Sequence, residues 1–119
     1  MDDPLDIDPH NITGKYVLIG QTPVPEPDLM KWARWCETNE RHVNRTQVGP
    51  YDVSTVFLGL DHNWSHKGPP LLFQTMVFES REHGRDSIEQ DRCSTWNEAE
   101  EMHARMVQRI QEKCAAVSD

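Results

Sequence analysis

The sequence has no uninterrupted apolar run near the length of about 18 residues that a membrane-spanning helix requires. Its first residues, Met1 to Pro4, have neither the basic start nor the apolar centre of a signal peptide. We therefore expect a soluble protein that stays in the cytoplasm. A length of 119 residues fits one domain, and 36% hydrophobic residues with a mean hydropathy of -0.75 are typical of a polar globular chain.

Cysteine is scarce, and its spacing is not that of a cross-linked framework. Cys36, Cys93 and Cys114 are an odd number, lie far apart and include no CxxC pair. The pattern favours neither a disulfide scaffold nor a structural zinc site. We interpret these residues as small buried hydrophobic side chains in a reducing compartment.

Signatures of catalysis are also missing. The sequence contains no GxSxG elbow, no phosphate-binding GxxxxGK(S/T) loop, no GxGxxG and no HExxH. An enzyme is therefore not favoured, and we predict no cofactor.

Acidic residues outnumber basic ones, and part of the excess lies at one end. Twenty acids and twelve bases give a net charge of -8, but four of the aspartates fall within the first nine residues without a base among them. The twelve bases are scattered among acids, so the domain has no uniformly positive surface that would attract a phosphate backbone. Direct nucleic-acid binding is disfavoured.

Two helices are predicted from apolar periodicity. Asp28 precedes a stripe with i, i+3, i+4, i+7 spacing, which predicts a helix over 28–39. The run 95–98 (Thr-Trp-Asn-Glu) matches a capping box and begins a second helix. On that helix His103 lies on or beside the apolar stripe and is interpreted as a core or boundary histidine.

The strand signals are strongest in the middle of the chain. Runs 51–60 and 71–79 are dense in β-branched, aromatic and aliphatic residues, and we predict that they pair as a central antiparallel hairpin. Weaker strands are predicted at 15–20, at the exposed edge 41–48 and at 91–94, whereas the prolines of 21–27 predict a linker. The sequence thus predicts an α+β fold, a mostly antiparallel sheet of four to five strands with two helices on one face. The predicted organisation is a flexible acidic N-terminal arm (1–14), a single α+β domain (15–116) and a tail (117–119).

The chain has many large apolar side chains for so small a domain, and they either complete the core or contact a partner. Both faces of run 51–60 carry apolar residues, which predicts a helix layer on one side and a second subunit, a partner protein or a long loop on the other. Trp35 lies off the centre of its helix stripe and could flank the core or contact a partner. The predicted partner-binding residues are Trp35, Asp61, His62, Asn63, Trp64 and His66.

The strings STVFLGLDH and GPPLLFQTMVF, within a similarity that spans about residues 15 to 110, resemble a group of small uncharacterised proteins common in tailed-phage and prophage genomes. The resemblance carries no set of catalytic residues. It implies a phage accessory protein that binds a host protein, such as a component of a CRISPR defence complex, without catalysis.

Two alternatives remain open. An oligomer could sequester a small anionic ligand such as a nucleotide, using Arg41, Arg45 or Lys67 at a subunit boundary. A metal-dependent enzyme could instead use Asp61, His62 and His66, although a loop beside Gly-Pro-Pro does not hold the two imidazoles together.

Overall fold

The computed structural model describes residues 14–63, 65, 67–79 and 87–117. The predicted arm, except for its last residue, and the last two residues of the predicted tail lie outside this range. The α+β class is confirmed. The elements are β1 (Tyr16–Ile19), β2 (Thr22–Pro25), α1 (Leu29–Thr38), β3 (His42–Val48), β4 (Tyr51–Phe57), β5 (Phe73–Glu79), β6 (Ser87–Cys93) and α2 (Trp96–Val117).

The main sheet is antiparallel, with the strand order β3-β4-β5-β6. The predicted central hairpin is confirmed, with Phe57 opposite Phe73 at one end and Tyr51 opposite Glu79 at the other. β3 is an edge strand, as predicted. β6 begins at Ser87, earlier than the predicted 91–94, because the polar residues before position 91 extend its pairing with β5.

α2 crosses one face of this sheet and contacts all four strands. Its capping box forms as predicted: the amide of Glu98 donates to Thr95 Oγ1, and Glu98 Oε1 accepts from the amide of Thr95, both at 3.1 Å. Alternate residues of β4 and β5 face the helix, since side chains along a strand point to opposite sides. The buried residues of this layer include Val53, Phe57, Phe73, Val77, Ala99, Met102, Met106 and Ile110.

The predicted linker at 21–27 is wrong in part, because Thr22–Pro25 is a strand that pairs with β1 in a separate two-stranded sheet. Pro23 and Pro25 are two residues apart, so their missing N–H groups lie on the same side of the strand. An edge strand tolerates this when that side faces away from its partner. The hairpin joins the rest of the fold where the amide of Tyr16 donates to the carbonyl of Gly59 at 2.9 Å.

α1 packs beyond the end of β4 and against β1, whereas α2 crosses the sheet. Asp28 caps α1 as predicted, and its carboxylate accepts from the amides of Met30 and Lys31. Trp32 Nε1 donates to the carbonyl of Gly59 at 3.0 Å. Gly59 has φ +79°, and a Cβ there would lie 3.5 Å from that indole nitrogen. That distance is an ordinary contact, so it is the left-handed backbone conformation that favours glycine at 59.

Candidate functional site

The face of the main sheet opposite α2 has no helix lying across it among the residues that the structure describes. We call it the open face. Strand alternation and the register of the four strands assign its side chains. They are Arg45, Gln47, Asp52, Ser54, Val56, Gln74, Met76, Phe78, Gln90 and Arg92.

Hydrogen bonds hold the polar side chains of the open face in place. Arg45 donates to both carboxylate oxygens of Asp52, at 3.1 Å from Nε and 2.7 Å from Nη2. The Asp52 side chain is only 6% exposed, whereas that of Arg45 is 62% exposed. The hydrogen bond and the charge of Asp52 raise the pKa of Arg45 above its ordinary value. This pair presents a fixed guanidinium to solvent.

A second set of bonds spans β5 and β6. Arg92 Nε donates to Gln74 Oε1 at 3.2 Å, and Gln74 Nε2 donates to Gln90 Oε1 at 2.8 Å. The half-buried side chains of Val56, Met76 and Phe78 form a diagonal row across the face. Met76 is opposite Ser54 at the centre, Val56 is opposite Gln74, and Phe78 is opposite Asp52. The open face thus combines partly exposed apolar groups with polar groups whose geometry is already set.

On each edge strand of the same sheet, one backbone amide is bonded to the side chain of the preceding residue. The amide of Arg45 on β3 donates to Asn44 Oδ1 at 2.8 Å, and the amide of Arg92 on β6 donates to Asp91 Oδ1 at 2.9 Å. An edge amide that is bonded in this way is not available to an added strand. Each edge strand therefore has one backbone amide fewer to offer a partner strand.

The loop between β4 and β5 uses its predicted binding residues to fix its own shape. Asp61 Oδ1 accepts from the amides of Asn63 at 2.8 Å and Leu71 at 3.0 Å. Asn63 Nδ2 donates to the carbonyls of Lys67 at 2.6 Å and Pro69 at 3.0 Å. Asp and Asn side chains that bond nearby backbone groups in this way stabilise turns. Lys67 is exposed on this loop.

His62 Nδ1 lies 2.9 Å from the carbonyl oxygen of Leu60. Trp64 and His66 lie outside the described residues, so the predicted metal set of Asp61, His62 and His66 is not described as a whole. Among the described residues, no group of three or more histidine, cysteine, aspartate or glutamate side chains could hold a metal ion.

Trp35 lies at the margin of the core. Its ring packs edge-on against Phe57, with centroids 5.7 Å apart and planes at 87°. It is half-buried and contacts the cluster around Tyr16 and Phe73. This arrangement agrees with the structural alternative for Trp35, and its partner-binding role stays a prediction.

A groove runs between the C-terminal end of α1, the start of β3 and the end of β4. We call it the Arg41 groove; its volume is about 460 Å³. Arg41, predicted as an anion ligand, lies on it, whereas Arg45 and Lys67 do not line it. Its lining residues are Cys36, Asn39, Glu40, Arg41, His42, Val56, Phe57 and Leu58.

Two neighbours of Arg41 are already engaged. Glu40 Oε2 lies 2.6 Å from His42 Nδ1 and accepts from the His42 amide at 3.1 Å. These hydrogen bonds lower the pKa of Glu40, and the nearby charge of Arg41 lowers it further. Burial raises the pKa of the Cys36 thiol in spite of the same guanidinium, so the protonated thiol is favoured. The groove therefore lacks an activated nucleophile at Cys36.

The other two cysteines are also free thiols. Burial raises the pKa of Cys93 to about 11, with the charge of Glu98 adding to the shift. Cys114 lies near the carbonyl of Val48, with Sγ 4.0 Å from that oxygen. All three are partly buried, which fits the prediction of packing residues more closely than that of reactive ones.

His103 lies between α2 and the sheet and is 3% exposed. Its Nδ1 lies 2.7 Å from Thr55 Oγ1 and its Nε2 lies 2.9 Å from Thr46 Oγ1. Thr55 also shares a hydrogen bond with Thr75. Burial lowers the pKa of His103 below its ordinary value. The histidine is a buried hydrogen-bonding residue of the core, as predicted.

The Arg41 groove and the Arg45–Asp52 pair were not predicted. The Arg45–Asp52 pair could have been found from the sequence. Gly49 and Pro50 form a two-residue connection that sets Gln47 opposite Asp52, so Arg45, two residues before Gln47 on the same face, is the diagonal neighbour of Asp52. No local pattern indicates the groove, because it forms only where α1 meets β4.

No protein-family model matches this chain, and no curated protein or solved structure gives a significant match. The similarity to phage proteins therefore stays a prediction. Among the described helices, none is both long enough and apolar enough to cross a membrane.

Proposed function

We propose that this protein acts by non-catalytic binding of another protein, with the open face as its contact surface. The observation that carries the proposal is the open face itself, where the partly exposed Val56, Met76 and Phe78 lie beside hydrogen-bonded polar side chains. Protein interfaces commonly combine apolar groups with ordered polar groups in this way.

The fixed polar side chains support the same proposal. Binding usually costs entropy because long side chains must be ordered at the interface, by about 0.5–1.5 kcal/mol for each of them. Arg45 and Arg92 are already held by Asp52 and Gln74 before any partner arrives. Arginine is also among the residues that dominate interface energetics. A partner that presents carboxylate or amide oxygens could accept hydrogen bonds from these guanidinium groups, which are already held in position.

The resemblance to phage proteins suggests the kind of partner. We propose an accessory role in the cytoplasm of a host cell, with a host defence component, such as a CRISPR complex, as the target. A second copy of this chain is an alternative occupant of the open face. The metal-dependent enzyme has less support, because Asp61 and Asn63 already hold the β4–β5 loop by hydrogen bonds.

Two methionine substitutions test the open face. Met76→Glu places a charge at the centre of the face, and Met30→Glu makes the same change on α1, where Met30 is 68% exposed. Each variant and the wild type would be used to capture proteins from host cells, and the captured protein would then be purified and titrated by calorimetry. Circular dichroism would establish that both variants are folded.

We expect Met76→Glu to weaken binding of the identified partner by at least about 100-fold, as loss of a central interface residue does. Met30→Glu should bind like the wild type. Equal binding by Met76→Glu and the wild type would remove the open face from the proposal. Sedimentation of the wild type alone tests the alternative, since a dimer that Met76→Glu dissociates would assign the face to a second copy.

A further inference from the structure

We propose that the Arg41 groove binds a small organic carboxylate that carries a compact apolar group. The groove volume of about 460 Å³ lies within the usual range of ligand sites, about 300–1,000 Å³. The inference concerns a different class of ligand and a different charged residue from the open face, although Val56 lies at the border of both.

The charge that would select the ligand is the guanidinium of Arg41. Among the described residues, that guanidinium has no hydrogen-bond partner, although its charge acts on Cys36 and Glu40. A planar guanidinium with unused donors can donate two parallel hydrogen bonds to the two oxygens of a carboxylate. Arg45, by contrast, is already paired with Asp52 in that geometry.

The other polar groups of the groove favour an anion with a single charge. The carboxylate of Glu40 is held by His42 and lies near Arg41. A phosphate dianion on Arg41 would be repelled by that second negative charge, whereas a carboxylate has half as much charge to oppose it. This argument disfavours the phosphates of a nucleotide in the Arg41 groove.

The apolar part of the ligand follows from the groove wall. Val56, Phe57 and Leu58 line it beside the polar residues. Val56 and Leu58 are only partly buried in the protein alone, so covering them with an apolar group would remove further apolar surface from water. The site thus combines one cation with an adjoining apolar surface.

The test uses three probes of matched structure on the full chain. N-acetyl-leucine has the carboxylate and the apolar group, N-acetyl-leucinamide lacks only the charge, and inorganic phosphate lacks the apolar group. Each probe would be titrated in an NMR experiment that follows backbone amides. The variants are Arg41→Gln and, as the matched control, Arg34→Gln, which changes an exposed arginine of α1 that does not line the groove.

We expect N-acetyl-leucine to shift the amides of residues 40–42 and 56–58, with an affinity about tenfold weaker in Arg41→Gln and unchanged in Arg34→Gln. The amide should bind about tenfold more weakly than the acid. Equal binding of acid and amide, equal or tighter binding of phosphate, or an unchanged affinity in Arg41→Gln would each overturn the proposal, as would no shift with any probe. Met76→Glu should leave carboxylate binding intact, so that failure here and failure of the open face can be distinguished.

Discussion

The buried His103 predicts how the free energy of unfolding depends on pH. Its pKa in the folded protein is lowered by burial, so the folded state holds the neutral imidazole, bonded to Thr46 and Thr55. In the unfolded chain the same group takes up a proton near pH 6.5, its ordinary value. The unfolded state therefore binds more protons below that pH, and stability falls as the solution becomes more acidic.

The size of this effect has an upper limit. A single proton contributes at most about 1.4 kcal/mol per pH unit, over the window from about pH 6.5 down to the lowered pKa of the folded state. Above that window the contribution is complete and constant. Below it the contribution has been lost, because both states are then protonated.

The variant His103→Gln isolates the contribution of this group. Glutamine retains a donor and an acceptor for the threonine hydroxyls but does not titrate. We expect it to cost about 1–2 kcal/mol at pH 7.5 through imperfect hydrogen bonding in a buried site. The cost should shrink as the pH falls, since the wild type loses stability that the variant does not.

Urea unfolding at several pH values between 7.5 and 5 would measure both chains. The difference between them cancels the titration of the carboxylates that they share. His42→Gln is the control: His42 lies at the surface with its side chain 50% exposed, so the acid-side loss due to His103 should persist in that variant. Parallel curves for the wild type and His103→Gln would refute the reasoning.

Two further predictions concern packing. Gly59→Ala and Gly20→Ala should each cost about 1–2 kcal/mol of stability, because φ is +79° and +65° at these positions and an added Cβ meets no tight contact at either; an unchanged melting temperature in either variant would contradict this. Asp61→Ala should cost about 1–2 kcal/mol through the loss of bonds from two backbone amides, including that of Leu71. Asp61→Asn should restore most of that loss in thermal unfolding, and a deficit as large as that of alanine would indicate that the negative charge matters more than the acceptor.

Much of the fold could be predicted because its signals are local. The capping box at Thr95 and the cap at Asp28 each depend on residues within one helical turn, and both form. The pairing of β4 with β5 followed from two apolar runs separated by Gly-Pro-Pro. The strand at Thr22–Pro25 was missed because proline normally opposes strand formation. Only the pairing with β1 shows that the strand forms without the N–H groups that its prolines lack.

The candidate sites were harder to predict, because they depend on distant residues. The sequence offered Arg41, Arg45 and Lys67 together as candidate anion ligands. The pairing of β3 with β4 sets His42 opposite Val56, but the groove also needs α1 to pack near the end of β4, which no local pattern indicates. Arg41 and Arg45 differ in that the guanidinium of Arg45 is bonded to Asp52. Asp61 and Asn63 were predicted to bind a partner; their hydrogen bonds hold the loop, and the partner-binding role stays a prediction.

The outer strands of this fold share a property that bears on its behaviour at high concentration. Prolines interrupt the donors of β2, and side chains of Asn44 and Asp91 occupy backbone amides on β3 and β6. Fibril growth requires a row of vacant backbone groups to which the next molecule can add. Each of these outer strands thus offers fewer free amides to an incoming strand, which works against growth of the sheet from one molecule to the next.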